Sequence, residues 1–287
     1  MQDFFLTAFQ QGFVISLAVM GIYISFRILN FPDLTCDGSF SLGGGLAAVL
    51  LGVGLNPYLG LLCVLLAGFV AGTFTGLLNA KFKINPLLSG ILMMTMLYSV
   101  NLRVMGRPNY PLFNLNTILK PIENLVGFNQ LALAGFFAVT VIFFKILIDL
   151  FLRTELGLTL ISAGDNENMT QGLGFNTEKI KILGMGLSNA LIAVSGAMTA
   201  QYYGFADISM GVGIIIVGIA ALIIGESLFH PTRVSSHTFA LILGTISYYL
   251  IVSVGLRIGL APTDLKIATG LMVVGVLIFR FKRSSDE

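Results

Sequence analysis

Charge is scarce in this 287-residue sequence: Asp, Glu, Lys and Arg make up 10% of it, against 56% hydrophobic residues and a mean hydropathy of +0.91. An ordinary soluble domain carries about 25% charged residues, so that class is excluded. The net charge is only +2 and the basic residues are scattered among short connections, which excludes a nucleic-acid face. There are two cysteines, Cys36 and Cys63, both in or beside apolar runs, so two unpaired membrane thiols are expected rather than a disulfide scaffold. No G-x-x-x-x-G-K-[ST] run occurs, and the chain therefore lacks the loop that cradles nucleotide phosphates. Metal-ligand spacing is missing too, so neither a cofactor nor a metal is expected on this chain. The first apolar run has no A-x-A-like cleavage site and is expected to be retained.

What the sequence has is long apolar runs. Nine are drawn, at 10–29, 38–55, 57–79, 86–104, 131–152, 180–203, 211–229, 237–255 and 265–281. A helix needs roughly 17 to 25 such residues to cross about 30 Å of hydrocarbon, whereas a barrel would alternate in shorter segments. The expected fold is an all-α polytopic membrane protein of about nine spans, forming one domain over residues 1–287. If Arg280, Lys282 and Arg283 are cytoplasmic, parity puts Arg27, Lys81, Lys83, Lys145, Arg153, Lys179, Lys181 and Arg233 on the same side. Arg103, Arg107, Lys120, Arg257 and Lys266 then lie outside, a positive-inside imbalance that places the C terminus in the cytoplasm of a cell membrane. Two connections exceed a turn: 105–130 outside and 153–179 inside.

Residues 31–52, FPDLTCDGSFSLGGGLAAVLLG, find an echo in 205–225, FADISMGVGIIIVGIAALIIG. Both open Phe-x-Asp-[Leu/Ile]-[Thr/Ser] and run through glycine-rich apolar stretches to Gly52 and Gly225. Parity sends the first inward-to-outward and the second the other way, the relation of inverted-topology repeats, with spans 1–4 matching 6–9. Pro32 breaks a helix, and a broken helix at membrane depth must face protein or a water-filled cavity. Asp33, Thr35, Asp37 and Ser39, with Asp207 and Ser209 in the second copy, are candidates either for capping restarted helices or for lining a transport pathway.

The most polar stretch is 153–182, RTELGLTLISAGDNENMTQGLGFNTEKIKI. A short amphipathic helix is expected over 159–171, ended by Gly172 and Gly174, with Asn176-Thr177 capping the next span. It is either a solvated connector or a surface for a partner. Glu155-Leu-Gly157, the run Asp165-Asn-Glu167-Asn168 and Gly172-Leu-Gly174-Phe-Asn176-Thr together resemble the coupling segment of ABC-transporter permeases of the branched-chain amino acid and ribose type. Leu29-Asn30-Phe31 with its polar, glycine-rich turn, and Ser195-Gly196 through Tyr202-Tyr203-Gly204, resemble further parts of that family. The Asp-Leu-Thr-x-Asp-Gly-Ser-Phe run at 33–40 is most similar to tryptophan/tyrosine-type permeases. Where such permeases carry arginines early in the coupling helix, this sequence has Leu158, Leu160 and Ser162.

The resemblance implies an importer subunit rather than an enzyme. It implies a second permease subunit as partner, a copy of this chain, with two ATPase subunits docked on Glu155, Gly157, Asp165, Glu167, Asn168, Gly172 and Gly174. ATP and Mg would sit on those ATPases, and an extracytoplasmic binding protein would deliver a small organic solute: an amino acid, an aromatic one included, or a nucleoside or sugar. The alternative is an ion-gradient-driven secondary transporter, which calls for ionisable groups in mid-span; Asp149 and Glu226 fall near span ends instead. An intramembrane protease needs a paired Ser and His or two aspartates at depth. His230 and His237 fall in a turn, away from Ser188.

Overall fold

The computed structural model describes residues 2–259 except 114, 123–128 and 232, together with 267, 270, 271, 274 and 275. Among the described residues, ten α-helices are bounded at both ends: α1 (Gln2–Ile22), α2 (Thr35–Gly52), α3 (Pro57–Ala80), α4 (Pro86–Met105), α5 (Gln130–Leu152), α6 (Glu155–Asp165), α7 (Glu167–Gly172), α8 (Thr177–Tyr203), α9 (Ile214–Phe229) and α10 (Val234–Ile258). Six of them, α1 with its continuation to Ile28, α3, α4, α5, α8 and α10, are long and apolar enough to cross a membrane. α2 has 18 residues, including Asp37 and five glycines, and α9 has only 16, so neither reaches that standard alone. The ninth segment expected at 265–281 falls almost wholly outside the described residues.

Helix starts follow the local chemistry. α3 and α4 each begin Asn-Pro: Asn56 accepts from the Tyr58 amide and Asn85 from the Leu87 amide, both at 3.0 Å, while the proline sits where its missing N–H costs nothing. α1 does not end cleanly. Its last turns widen into a π-helix over Tyr23–Ile28, the Leu29 amide reaches back to the Ile24 carbonyl at 3.0 Å, and Asn30 turns the chain with φ 51°.

α8 is the central post. Its apolar window is 83% buried, against 17% for α5, which presents its flank outward. Around α8 the main core gathers Leu17, Met20, Phe40, Met185, Ile192 and Met198. Small residues set the distance between the posts: a Cβ at Gly43 would overlap the Ala193 carbonyl, one at Gly196 the Phe40 carbonyl, and one at Gly72 the Met185 carbonyl. α2, α3 and α8 therefore meet backbone to backbone, a mode of packing suited to a bilayer, where apolar side chains gain little from leaving lipid.

At one end of the bundle two short strands, β1 (Asn109–Pro111) and β2 (Phe205–Asp207), pair antiparallel. At the other end lie residues 29–34, 81–85 and 153–176 and the turn between α9 and α10, joined by Asn30 to the Gly164 carbonyl at 3.0 Å and by Lys83 to Glu178 at 2.7 Å. Among the described residues, the ribbon and the 153–176 segment, which parity puts on different sides, thus lie at opposite ends of the bundle.

Candidate functional site

The break between the π-helix and α2 buries its polar residues. Asp33 Oδ1 accepts the Thr35 amide at 2.8 Å, which is an Asx turn, and Oδ2 accepts from the Asn189 side chain at 2.7 Å. Thr35 Oγ1 meets Thr75 Oγ1 at 2.9 Å. All four side chains are essentially inaccessible, and no basic residue pairs with Asp33 among the described residues. A buried carboxylate is sustained only by such hydrogen bonds, so Asn189 and the Thr35 amide hold it in place. The Ser39 hydroxyl, one turn further along α2, and the side-chain Oδ1 of Asn189 are buried with no partner among the described residues. Asn189 and Thr75 escape a reading of the sequence; a lone amide in the run Gly-Leu-Ser-Asn-Ala-Leu-Ile was the available signal.

Asp37 serves a different segment. Between β2 and α9, residues 208–213 run without helix back into the bundle, and their amides must be satisfied there. Asp37 accepts the Gly213 amide at 2.8 Å and the Ile215 amide at 3.2 Å, while Ser41 Oγ accepts the Gly211 amide at 3.0 Å. α2 therefore caps the start of α9 from outside, and Gly211 lies so close that a Cβ would overlap the Asp37 carbonyl. The capping expected of Asp37 is found, but on a helix distant in sequence rather than on its own.

Asp207 repeats the Asx turn of Asp33: its Oδ1 accepts the Ser209 amide at 2.8 Å, and the Ser209 hydroxyl at 2.5 Å. Asn109 adds a bond to Oδ2 at 3.3 Å across the β1–β2 ribbon. The Ser209 hydroxyl holds the Asp207 carboxyl below the usual carboxylate range. Asp207 and Ser209 thus lie with the ribbon at one end, whereas Asp33 and Thr35 lie toward the other; the six candidates form two places, not one.

The polar segment 153–176 departs from the single helix expected over 159–171. It forms two, α6 and α7, meeting at Asn166, whose extended backbone (φ −149°, ψ 98°) stops one helix while its side chain accepts the Met169 amide and caps the next. Thr154 caps α6 by accepting the Gly157 amide at 3.3 Å. Gly157 does not act as a free hinge, since it packs on the Phe151 carbonyl and Leu152. Gly164, unremarked in the sequence, lies directly against the Ile28 carbonyl at the end of the π-helix. Glu167 turns inward: Lys181 Nζ pairs with it at 2.5 Å and Thr177 donates to it at 3.2 Å, which holds its carboxyl below the usual value. Its carboxylate is thus already engaged within the chain. Glu155, Asp165 and Asn168 are exposed, as are Leu156, Leu158, Met169, Leu173 and Phe175. Gly172 and Gly174 have open space around them, and Gly174 adopts φ +89°. This end of the protein thus carries an apolar surface outside any span, and it rests on the π-helix that leads to Asp33.

Residues 4–280 match the family described as branched-chain amino acid transport system, permease component. A tyrosine transport system permease protein of Clostridioides difficile is 43% identical over 268 residues, 93% of this chain and 88% of that one. A ribose import permease protein of Haemophilus influenzae is 27% identical over 210 residues, 72% of this chain and 64% of that one. In fold, the chain is similar to a solved structure described as an inward-facing conformation of a metal-chelate type ABC transporter, with TM-score 0.52 and 20% identity over 96% of this chain and 85% of that one. With all but the first two residues of its described helical bundle inside the matched range, the chain belongs to the family of branched-chain amino acid transport system permease components.

Proposed function

We propose that this chain is the membrane-spanning subunit of an ATP-driven importer and that its solute is an aromatic amino acid. The observation that carries the reading is the contact of Gly164 with the Ile28 carbonyl, reinforced by Asn30, because it joins an exposed apolar surface to the broken helix that holds Asp33. A partner ATPase gripping α6 and α7 through Leu156, Leu158, Met169 and Phe175 would move them as a unit. That motion would reach residues 29–34 directly. The expected partners are a second copy of the chain, two ATPase subunits carrying ATP and Mg, and an extracytoplasmic binding protein. The aromatic solute rests on the likeness to the tyrosine permease.

The inverted repeat is part of the same proposal. Asp33 and Asp207 make the same Asx turn at the same 2.8 Å, each just before a short helix preceded by irregular backbone, and they lie toward opposite ends. These likenesses support a two-fold relation in the membrane plane, with α2 and α9 as the paired broken elements.

The deciding experiment is uptake into proteoliposomes holding the permease with its ATPase, the binding protein supplied outside. Tyrosine uptake that needs ATP and survives ionophores is the expected result, with leucine and ribose poorly carried. Uptake without ATP that collapses with the ion gradient would instead favour the ion-driven alternative, which the buried carboxyls of Asp33 and Asp37 support.

A further inference from the structure

A cavity of about 740 Å3 opens between α5 and α10 at the end of the bundle that carries α6 and α7. Its walls include Lys145, Arg153, Arg233, Ser235, Ser236 and Phe239. Three cations converge there, but they are not equivalent. Lys145 is neutralised by Asp149 at 2.5 Å and anchored by Ser235 at 3.1 Å, and Asp149 in turn accepts from Ser235 and Thr238. That network closes on itself and fixes α5 against α10. Arg153 and Arg233 are exposed, and neither pairs with a carboxylate among the described residues. Among the described residues the cavity therefore holds two cations, Arg153 and Arg233, with no carboxylate partner, beside hydroxyl groups.

Its surroundings are equally particular. Arg153 follows the last residue of α5, and Arg233 precedes the first residue of α10, so both stand where a span leaves the hydrocarbon. Phe239 is 52% exposed one and a half turns into α10, and Ile142, Phe143, Ile146 and Leu150 on α5 are half-exposed. A polar, cationic mouth thus continues into apolar helix flanks. A free anion would use only the mouth; a molecule with a phosphodiester head and acyl chains would use both.

We propose that this cavity binds the headgroup of an anionic glycerophospholipid, its phosphate between the Arg153 and Arg233 guanidinium groups and its chains along Phe239 and the α5 flank. Guanidinium groups suit the task because they present paired donors to phosphate oxygens and are weakly hydrated. On the positive-inside reading the lipid belongs to the cytoplasmic leaflet, where anionic lipids attract basic residues at span ends. The inference needs the chain to span a membrane, but not that it transports any given solute.

The test is native mass spectrometry of the full-length chain released from nanodiscs of phosphatidylcholine containing phosphatidylglycerol. Retention of phosphatidylglycerol over phosphatidylcholine should be about thirtyfold, falling about fivefold with Arg153→Gln or Arg233→Gln and disappearing in the double variant. Arg103→Gln with Arg257→Gln, the same charge change at the opposite end, should leave retention intact. Equal retention of the two lipids by the unaltered chain overturns the proposal and needs no variant to fold. So does an equal loss in the control pair, which would mark a general effect of charge. Displacement of phosphatidylglycerol by inorganic phosphate would make this a site for a free anion. Unchanged lipid retention in the double variant, with weakened ATPase binding, would make it a protein contact; either result sinks the lipid assignment.

Discussion

Removing the amide of Asn189 strands a carboxylate. Asn189→Ala leaves Asp33 with the Thr35 amide as its main support in a site closed to water, and a hydrogen bond to a charged group is worth about 1.5–3 kcal/mol. The variant should unfold in detergent at clearly lower denaturant than the parent, by about 2 kcal/mol, and Asp33→Asn should recover much of that loss in the double variant because the buried charge is gone. Recovery failing to appear would mean that Asn189 matters for packing alone. Glu167 makes a prediction of the opposite kind. Its carboxyl sits below the ordinary 4.5 because Lys181 bonds it, so its unfolded form binds protons more readily. The pair's contribution is therefore complete above about pH 4.5 and is lost as pH falls through the folded value, and with both groups partly exposed it amounts to about 1 kcal/mol or less. Amide exchange of residues 167–172 should accelerate on acidification in the parent and much less so in Lys181→Met. The sequence made Asp33, Asp37 and Asp207 stand out, since a carboxylate within an apolar, glycine-containing run is conspicuous. It hid what Asp33 and Asp37 bind, because the Asn189 amide and the backbone of residues 213 and 215 reach them only when segments distant in sequence come together.

Among elements, the junction of α6 with the π-helix is the place to break coupling. Gly164→Ala puts a methyl into the Ile28 carbonyl, so either α6 or residues 28–30 must move. ATP hydrolysis should continue while solute uptake falls at least tenfold, with membrane insertion unaffected; normal uptake would remove this contact from the pathway of force. Gly172 and Gly174 are milder. A β-branched residue at Gly172 meets open space, and at Gly174 it pays mainly for a left-handed backbone, about 1–2 kcal/mol, without displacing a neighbour. The six long apolar helices were readable because apolar length is a local property. The division of 155–172 into two helices was not, since it depends on Asn166 ending one helix and capping another in a stretch whose composition suits either outcome. The β1–β2 ribbon was equally silent, three-residue strands leaving no periodicity to detect.

At the scale of the molecule, the proposed pair of broken helices would supply half of what a shared pathway needs, so the chain should dimerise with itself. Cross-linking in native membranes should trap a two-chain species, and a permease that remains a single copy within the assembled transporter would refute this. The hold of Asp37 on residues 213 and 215 has another bearing, on biosynthesis. A ribosome delivers α2 long before α9, and α9 measures about 24 Å, shorter than the hydrocarbon it must enter. Neither is a strong insertion signal on its own. Each therefore supplies what the other lacks: α2 offers acceptors for amides that lipid would leave bare, and α9 covers the carboxylate that α2 carries into the membrane. Until residue 215 has left the ribosome, α2 waits in an unfinished bundle. Nascent chains halted before that point should be substrates for membrane quality-control proteases, whereas those halted after Phe229 should survive; equal lifetimes for the two would show that α2 settles without its late partner.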